Sequence, residues 1–256
     1  MKNLIDTKYW IFDLDNTLYS GQTKVFSEVD KKMSSFISKK FNVDLVKARE
    51  IQKEYFYEYG TTLSGLMNHD KIDPHEFLEF VHDIDISWLP KDELLREELI
   101  KIKEKKYIFT NGSHAHVENV TKQLGIDGLF DGAFDIVDAN FIPKPKIEPY
   151  KKIVGKFDLD PTKSILIEDI AHNLEQAKNL GMKTCWLEND EVFAKKDADK
   201  PYIDYKIKNL PSFLQEINIC LLYTSDAADD SLRVDLGGRR IIKKRIYGVI
   251  RSRTPV

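Results

Sequence analysis

Cysteine is scarce in this sequence, with only Cys185 and Cys220 among 256 residues. Two thiols cannot build a disulfide framework or a structural zinc site. Long apolar runs are also missing: none has the length that spans a bilayer, and the N-terminal residues turn acidic before a run of signal-peptide length appears. These absences predict a soluble, cytoplasmic protein that does not enter a membrane.

A large excess of one charge is absent as well. The chain has 39 Lys+Arg and 42 Asp+Glu, which gives a formal net charge of −3. This balance argues against a protein that binds nucleic-acid polymers through their phosphates. The length and the 42% hydrophobic content suit one core domain with a smaller insert.

The hydrophobic pattern divides the chain into three stretches. Tyr9–Phe12 is a short apolar run of strand type that ends at acidic residues. From about Thr23 to Phe80 the apolar spacing is helical and predicts an all-helical insert, with helices near 25–37, 45–59 and 74–81. After about Trp88, strands and helices alternate, which predicts a parallel sheet with helices on both faces. The further predicted strands are 107–109, 133–137, 164–167, 183–187 and 205–207, and the helices are 92–105, 114–124, 146–157 and 171–180.

Polar residues stand where the predicted strands end. The carboxyl ends of parallel strands meet at one edge of a sheet, where ligands bind in folds of this kind. The strand-end residues are Asp13 and Asp15 after the first strand, Thr110, Asn111 and Gly112 after the second, Lys144 before the fourth, and Glu168 and Asp169 at its end.

This combination of residue types suits phosphoryl transfer. A carboxylate can attack phosphorus and form an acyl-phosphate, and a second carboxylate can protonate the leaving oxygen. A divalent cation shields the acids from one another and from the phosphate. A hydroxyl, backbone N–H groups and a lysine bind the phosphate oxygens.

The ordered set resembles the haloacid dehalogenase (HAD) superfamily of phosphatases, over roughly Tyr9–Leu187. The resemblance implies Asp13 as the nucleophile, Asp15 as the general acid and base, and Thr110, with Asn111 and Gly112 beside it, as part of the phosphate site. It also implies Lys144 as the phosphate-orienting lysine and Mg²⁺ as the cofactor. The metal would be held by Asp13, the backbone carbonyl of Asp15, and Asp169.

Three positions in this set carry alternatives. Lys146 lies two residues after Lys144 and is a rival for the phosphate-binding role, although Lys144 stands between two prolines that stiffen it. Glu168 is expected to support the metal ligands rather than to bind the metal itself. Asn173 stands where many superfamily members have another acid, and it is expected to orient the site in the same way.

The helical insert resembles the C1 type of HAD cap, which closes over the core site. Its segment Tyr55–Leu66 crowds aromatic residues before Gly60, Thr61 and Thr62. One interpretation is a helix packed by its aromatic face. The other is a substrate loop, because the segment resembles the pyrimidine 5′-nucleotidase branch of the superfamily. That resemblance implies UMP or CMP as the substrate, with Gly60, Thr61 and Thr62 as binding residues.

Four other functions are compatible with parts of the pattern: a phosphoglycolate or sugar-phosphate phosphatase, a phosphomutase, a haloacid dehalogenase, and a catalytically silent binding protein of the same fold. Asp15 argues against a dehalogenase, which needs no second acid in this motif. The complete catalytic set argues against a silent protein.

The sequence predicts domain boundaries as well. The core is expected at residues 1–18 and 86–219, and the cap at residues 19–85. Residues 220–256 change abruptly in character, and parts of them resemble a translated sequencing adapter. We therefore expect this last segment to be a tail foreign to the native protein.

Overall fold

The structure is a computed structural model that describes residues 4–220. Six parallel strands form one sheet in the order β3-β2-β1-β4-β5-β6. They are β1 (Tyr9–Phe12), β2 (Lys105–Phe109), β3 (Gly132–Phe134), β4 (Ser164–Glu168), β5 (Lys183–Leu187) and β6 (Tyr205–Ile207). The predicted α/β fold with a parallel sheet is therefore confirmed, and β1 lies at its centre between β2 and β4.

Helices cover both faces of the sheet. They are α5 (Glu93–Lys101), α6 (His114–Leu124), α7 (Ile147–Phe157), α8 (Leu174–Asn179) and a last helix at residues 210–220. Side chains of β1 alternate between the faces: Trp10 and Phe12 pack with α5, α6 and the last helix, whereas Ile11 packs with α7 and α8. Such alternation follows from the period of two along a strand and gives the core two apolar layers.

Four further helices lie between β1 and α5. They are α1 (Val25–Phe41), α2 (Leu45–Tyr59), α3 (Thr62–Asp70) and α4 (Pro74–His82). We call this segment the helical cap. Asp44 and Asp73 cap the N-termini of α2 and α4, and Pro74 stands at the first turn of α4, where a missing N–H costs nothing.

The helix α3 is the main element that the sequence analysis did not predict. Gly60 ends α2 with φ of 85°, which suits a residue without Cβ, and Thr61 then caps α3 through Ser64 N–H. Gly65 is required by packing, because a Cβ there would lie 2.3 Å from the Tyr55 side chain. Of the two interpretations of Tyr55–Leu66, the packed helix describes Tyr55–Tyr59, and the residues that follow form a tight junction between two helices.

Smaller corrections concern the ends of three predicted elements. The helix predicted at 92–105 ends at Lys101, because residues 105–109 form β2 instead. The strand predicted at 133–137 is Gly132–Phe134, and turns follow it. The helix predicted at 171–180 begins with a 3₁₀ turn, Ala171–Asn173, before α8. The adapter-like segment lies outside the described residues, apart from Cys220.

No helix within residues 4–220 combines the length and the apolar character needed to cross a bilayer.

Candidate active site

The carboxylate of Asp13 lies at the centre of the carboxyl edge of the sheet. Asp13 follows β1, and its backbone N–H donates to the carbonyl of Ile167 in β4 at 2.9 Å. This bond continues the strand pairing by one residue and fixes the Asp13 backbone. The side chain is buried, with 8% of its surface exposed. A single carboxylate is therefore held in place between two neighbouring strand ends.

Lys144 joins Asp13 to Glu168. Its Nζ donates to Asp13 Oδ1 at 2.7 Å, to Glu168 Oε2 at 2.6 Å and to the Phe109 carbonyl at 2.9 Å. Burial works against the charged ammonium, but the two carboxylates raise the pKa of Lys144 above its usual value. Lys146, the alternative, is exposed at the start of α7. The geometry therefore favours Lys144 as the lysine of the site.

Three buried carboxylates converge at this edge. Oxygen atoms of Asp13, Glu168 and Asp169 lie within 4.8 Å of one another. Burial and the neighbouring acids raise the pKa of Asp13 to about 8 and raise that of Asp169 well above its usual value. Lys144 supplies one positive charge against these three acids. Carboxylate oxygens in this number and at this spacing fit a hard divalent cation such as Mg²⁺.

The three acids differ in their hydrogen-bond partners. Glu168 accepts from Lys144 through Oε2 and from Ile170 N–H through Oε1, so both of its oxygens have protein donors. Asp169 accepts from Asn189 Nδ2 at 2.7 Å through Oδ2. All three acids belong to the group that could hold a cation, and the supporting role expected for Glu168 stays a prediction.

Asp15 has two hydrogen-bond partners of its own. Tyr19 Oη donates to its Oδ1 at 2.5 Å, and His116 Nε2 lies 2.8 Å from the same oxygen. Burial would raise the pKa of Asp15, but His116 and these hydrogen bonds lower it to about 2. Asp15 is therefore ionised at neutral pH when no substrate is bound.

The turn after β2 supplies the remaining predicted residues. Thr110 is buried, and its hydroxyl accepts from Gly112 N–H at 2.9 Å. Asn111 is bonded to the backbone of Lys144, whose N–H donates to Asn111 Oδ1 at 2.9 Å. A Cβ on Gly112 would lie 3.7 Å from Asp15 Oδ2, so the turn passes close to that carboxylate. Asn111 thus positions the segment that carries Lys144.

The predicted binding residues of the cap have partners within the cap. Thr61 donates to Ser64 Oγ at 2.9 Å, and Thr62 is buried and donates to the Gln52 carbonyl at 3.2 Å. Gly60 is exposed. These contacts build the junction between α2 and α3, and substrate binding by the three residues stays a prediction. Asn173 is buried just after Asp169, and its expected orienting role also stays a prediction.

Four residues near the site were not predicted from the sequence: Tyr19, His82, His116 and Asn189. His116 contacts Asp15, His82 contacts Ser113, and the two histidine rings stack on each other. Burial and His116 lower the pKa of His82 to about 3, so the His82 ring is neutral at neutral pH.

Comparison with known proteins agrees with this arrangement. The model of the haloacid dehalogenase-like hydrolase family matches residues 7–181, well over half of the chain. The chain belongs to this family. The family is one of hydrolases, and it agrees with the acids found at the ends of neighbouring strands of the sheet.

The relatives within this family include a phosphatase. Phosphate metabolism protein 8 of Saccharomyces cerevisiae is 32% identical over 193 residues, which are 68% of this chain and 60% of that protein. The chain thus spans about 60% of the length of that relative. The glyceraldehyde 3-phosphate phosphatase of Pyrococcus furiosus is 27% identical, over 81% of this chain and 92% of that protein.

Solved structures show the same fold. A putative HAD hydrolase, YfnB of Bacillus subtilis, bound to magnesium, matches with a TM-score of 0.52 and 16% identity. The match covers 84% of this chain and 98% of that one.

Proposed function

We propose that the protein is a Mg²⁺-dependent phosphatase that acts on phosphate monoesters through an aspartyl-phosphate on Asp13. The observation that carries the proposal is the position of Asp13. It is held by Lys144, lies beside Asp169, and is followed two residues later by a second acid with its own hydrogen-bond partners. The HAD-like family and the phosphatase relative from P. furiosus support the same chemistry.

The reaction would proceed in two steps. Asp15 first takes up a proton from solvent when the phosphate group binds beside it. In the first step, an oxygen of Asp13 attacks phosphorus, the bond from phosphorus to the ester oxygen breaks, and Asp15 gives its proton to the departing alcohol. In the second, Asp15 takes a proton from water, the water oxygen attacks phosphorus, and Asp13 is released as a carboxylate. Asp15 recovers its proton, and inorganic phosphate is the second product.

The other residues hold charge and geometry during these steps. Lys144 offsets the charge of Asp13 before the attack and would bind the phosphate oxygens after it. Thr110 and the backbone N–H groups of its turn would bind other phosphate oxygens. Mg²⁺, held by Asp13, Asp169 and the carbonyl of Asp15, would offset the negative charge shared by the acids and the phosphate. Glu168 holds the Lys144 ammonium group by accepting a hydrogen bond from it.

Metal dependence gives a first prediction, which can be measured without turnover. In the metal-free protein, the pKa of Asp13 rises from 3.8 to about 8 because of burial and Glu168. A raised carboxyl pKa means that the free energy of unfolding falls as the pH rises between those two values. A cation needs the carboxylate form, so the increase in Tm caused by Mg²⁺ should be larger at pH 8 than at pH 6.

The matched variant for this prediction is Asp169→Asn. Mg²⁺ at about 100 times its Kd should stabilise the wild-type protein by about 2.7 kcal/mol, and the variant should need a much higher concentration for the same change in Tm. EDTA should abolish turnover, and Mg²⁺ should restore it. An unchanged Mg²⁺ titration in Asp169→Asn would show that the metal site is elsewhere.

For the substrate, we propose a pyrimidine nucleoside monophosphate, UMP or CMP. The proposal rests on the resemblance of Tyr55–Leu66 to the pyrimidine 5′-nucleotidase branch. One contact supports it: Phe56 of α2 packs against Phe193 with ring centroids 5.6 Å apart. Phe193 lies four residues after Asn189, whose side chain donates to Asp169. The aromatic end of α2 therefore contacts the segment that reaches Asp169, and its rings could stack on a base.

A second prediction compares substrates. We expect kcat/KM for UMP and CMP to exceed the value for AMP by about tenfold or more, which corresponds to a free-energy difference of about 1.4 kcal/mol. Phe56→Ala should lower kcat/KM for UMP and CMP, because a stacking ring is lost, while Phe80→Ala, which alters a ring on α4, should not. The relative from P. furiosus makes glyceraldehyde 3-phosphate the main competing substrate. Higher kcat/KM for it, or for phosphoglycolate, would reject the nucleotide but not the phosphatase.

We also propose that the protein works in the cytoplasm, with a small phosphorylated metabolite as its partner and without binding nucleic-acid polymers or membranes. This part of the proposal rests on the charge balance and the composition of the sequence.

A further inference from the structure

A line of three contacts connects Asp15 to the helical cap. His116 Nε2 lies 2.8 Å from Asp15 Oδ1. The His116 ring stacks on that of His82, with centroids 4.5 Å apart and an angle of 14° between the planes. Nδ1 of His82 lies 2.8 Å from Ser113 Oγ. His82 is the last residue of the cap helix α4, whereas His116 and Ser113 belong to the core.

Packing alone does not explain a histidine at position 116. The side chain is fully buried, and its Nδ1 has no hydrogen-bond partner among the residues that the structure describes. An imidazole buried with one nitrogen unpaired costs stability that an apolar side chain of similar size would avoid. Within residues 4–220, Nε2 makes one polar contact, which is to Asp15. This contact is therefore the property of His116 that an apolar side chain could not supply.

The two donors to Asp15 also select one of its oxygens. Tyr19 and His116 both bind Oδ1, and no hydrogen bond reaches Oδ2 within residues 4–220. Two donors on one oxygen fix the rotation of the carboxyl group and leave Oδ2 on the side of Gly112. A general acid must meet the leaving oxygen within hydrogen-bond reach, so its orientation decides how well it acts.

We propose that His116 is a positioning residue for Asp15, and that His82 links this position to the end of the cap. The inference rests on the proposed phosphatase function. His116 donates from Nε2 to Oδ1 and thereby turns Oδ2 toward the leaving oxygen. His82 supports the His116 ring from one side and is itself fixed by Ser113. Because α4 ends at His82, the ring stack forms at the point where the cap returns to the core.

The test uses two esters and a matched pair of variants. In His116→Gln, the amide nitrogen can reach Asp15 as Nε2 does, whereas in His116→Asn the side chain is one methylene too short. An alkyl phosphate needs a proton on its leaving oxygen, but p-nitrophenyl phosphate does not. We expect His116→Asn to lower the rate of the first step, measured by rapid mixing as release of the first equivalent of alcohol, by about 10- to 100-fold for the alkyl ester and by about threefold or less for the nitrophenyl ester. KM should change little.

Two further variants complete the design. His116→Gln should recover most of the loss on the alkyl ester, which a purely structural role would not predict. His114→Asn is the control, because His114 is exposed on the same helix and contacts Glu118 rather than Asp15. His82→Leu should show the pattern of His116→Asn with a smaller loss.

The possible outcomes separate the positioning role of His116 from the proposed phosphatase function. If the wild-type enzyme hydrolyses both esters and His116→Asn loses nothing, or loses equally on both, the positioning role is wrong while the phosphatase function stands. If His116→Gln is as impaired as His116→Asn, the positioning role is again wrong. If the wild-type protein with Mg²⁺ hydrolyses neither ester, the proposed function fails, and the positioning role fails with it.

Discussion

Asp13→Asn should leave a folded protein with no measurable phosphatase turnover. A neutral amide cannot attack phosphorus as a carboxylate does, so the covalent route is lost rather than slowed. The expected decrease in kcat is about 10⁴-fold or more, to the background of the assay. Steady-state phosphate release from UMP and from p-nitrophenyl phosphate would measure it.

The stability of this variant provides its control. Asp13 lies between Lys144 and two further buried acids, and in the metal-free protein its carboxyl group favours the protonated form. An amide of the same size removes the repulsion with Glu168 and Asp169, so the metal-free variant should be at least as stable to heat as the metal-free wild type at pH 8. Phosphate release by a pure, folded Asp13→Asn protein would show that another residue is the nucleophile.

Asp15→Asn should slow the enzyme by an amount that depends on the leaving group. The loss of a general acid typically costs about 10²–10⁴-fold. We expect that full loss for UMP, whose alkoxide needs a proton, and a much smaller loss in the first step for p-nitrophenyl phosphate. Release of the first equivalent of nitrophenol, followed in a rapid-mixing experiment, separates that step from hydrolysis of the intermediate.

The low pKa of Asp15 in the free protein fits a general acid that takes up its proton only when the substrate binds. His116 and Tyr19 hold that pKa at about 2. A phosphate group bound beside Asp15 adds negative charge, which disfavours the carboxylate and raises the pKa again. Equal losses in the first step for good and poor leaving groups in Asp15→Asn would contradict the acid role.

The sequence predicted the central part of the fold because its pattern there is local. Tyr9–Phe12, Leu45–Tyr59, His114–Leu124 and Lys183–Leu187 have the predicted bounds. Apolar runs and periodic helices end at residues such as Gly125, whose φ of 74° suits a helix end. The α3 helix was missed because Gly60, Thr61 and Thr62 are turn residues by type, and only the close packing of Gly65 on Tyr55 identifies them as a junction between helices.

The candidate site, like the fold, could be predicted from the sequence only in part. That Asp13, Asp15 and Asp169 lie at one edge of the sheet could be predicted from the sequence, because the carboxyl ends of parallel strands meet there wherever those strands lie in the chain. The roles given to these acids and to Lys144 stay predictions. The position of His116 could not be predicted, because its partner Asp15 is 101 positions away and the contact depends on how α6 is turned. Asn111 was assigned to the substrate, yet its hydrogen bonds to Lys144 show a contact that only the folded chain brings together.

The most direct test of the account is to trap the intermediate on Asp13. In Asp15→Asn with Mg²⁺ and p-nitrophenyl phosphate, the first step should proceed while the second lacks its general base, so the phosphorylated enzyme should accumulate. After an acid quench, mass spectrometry should find one phosphate per chain, located on the peptide that contains Asp13, and none in the Asp13→Asn, Asp15→Asn double variant. A phosphate on any other residue, or an unmodified chain after nitrophenol has been released, would contradict the account.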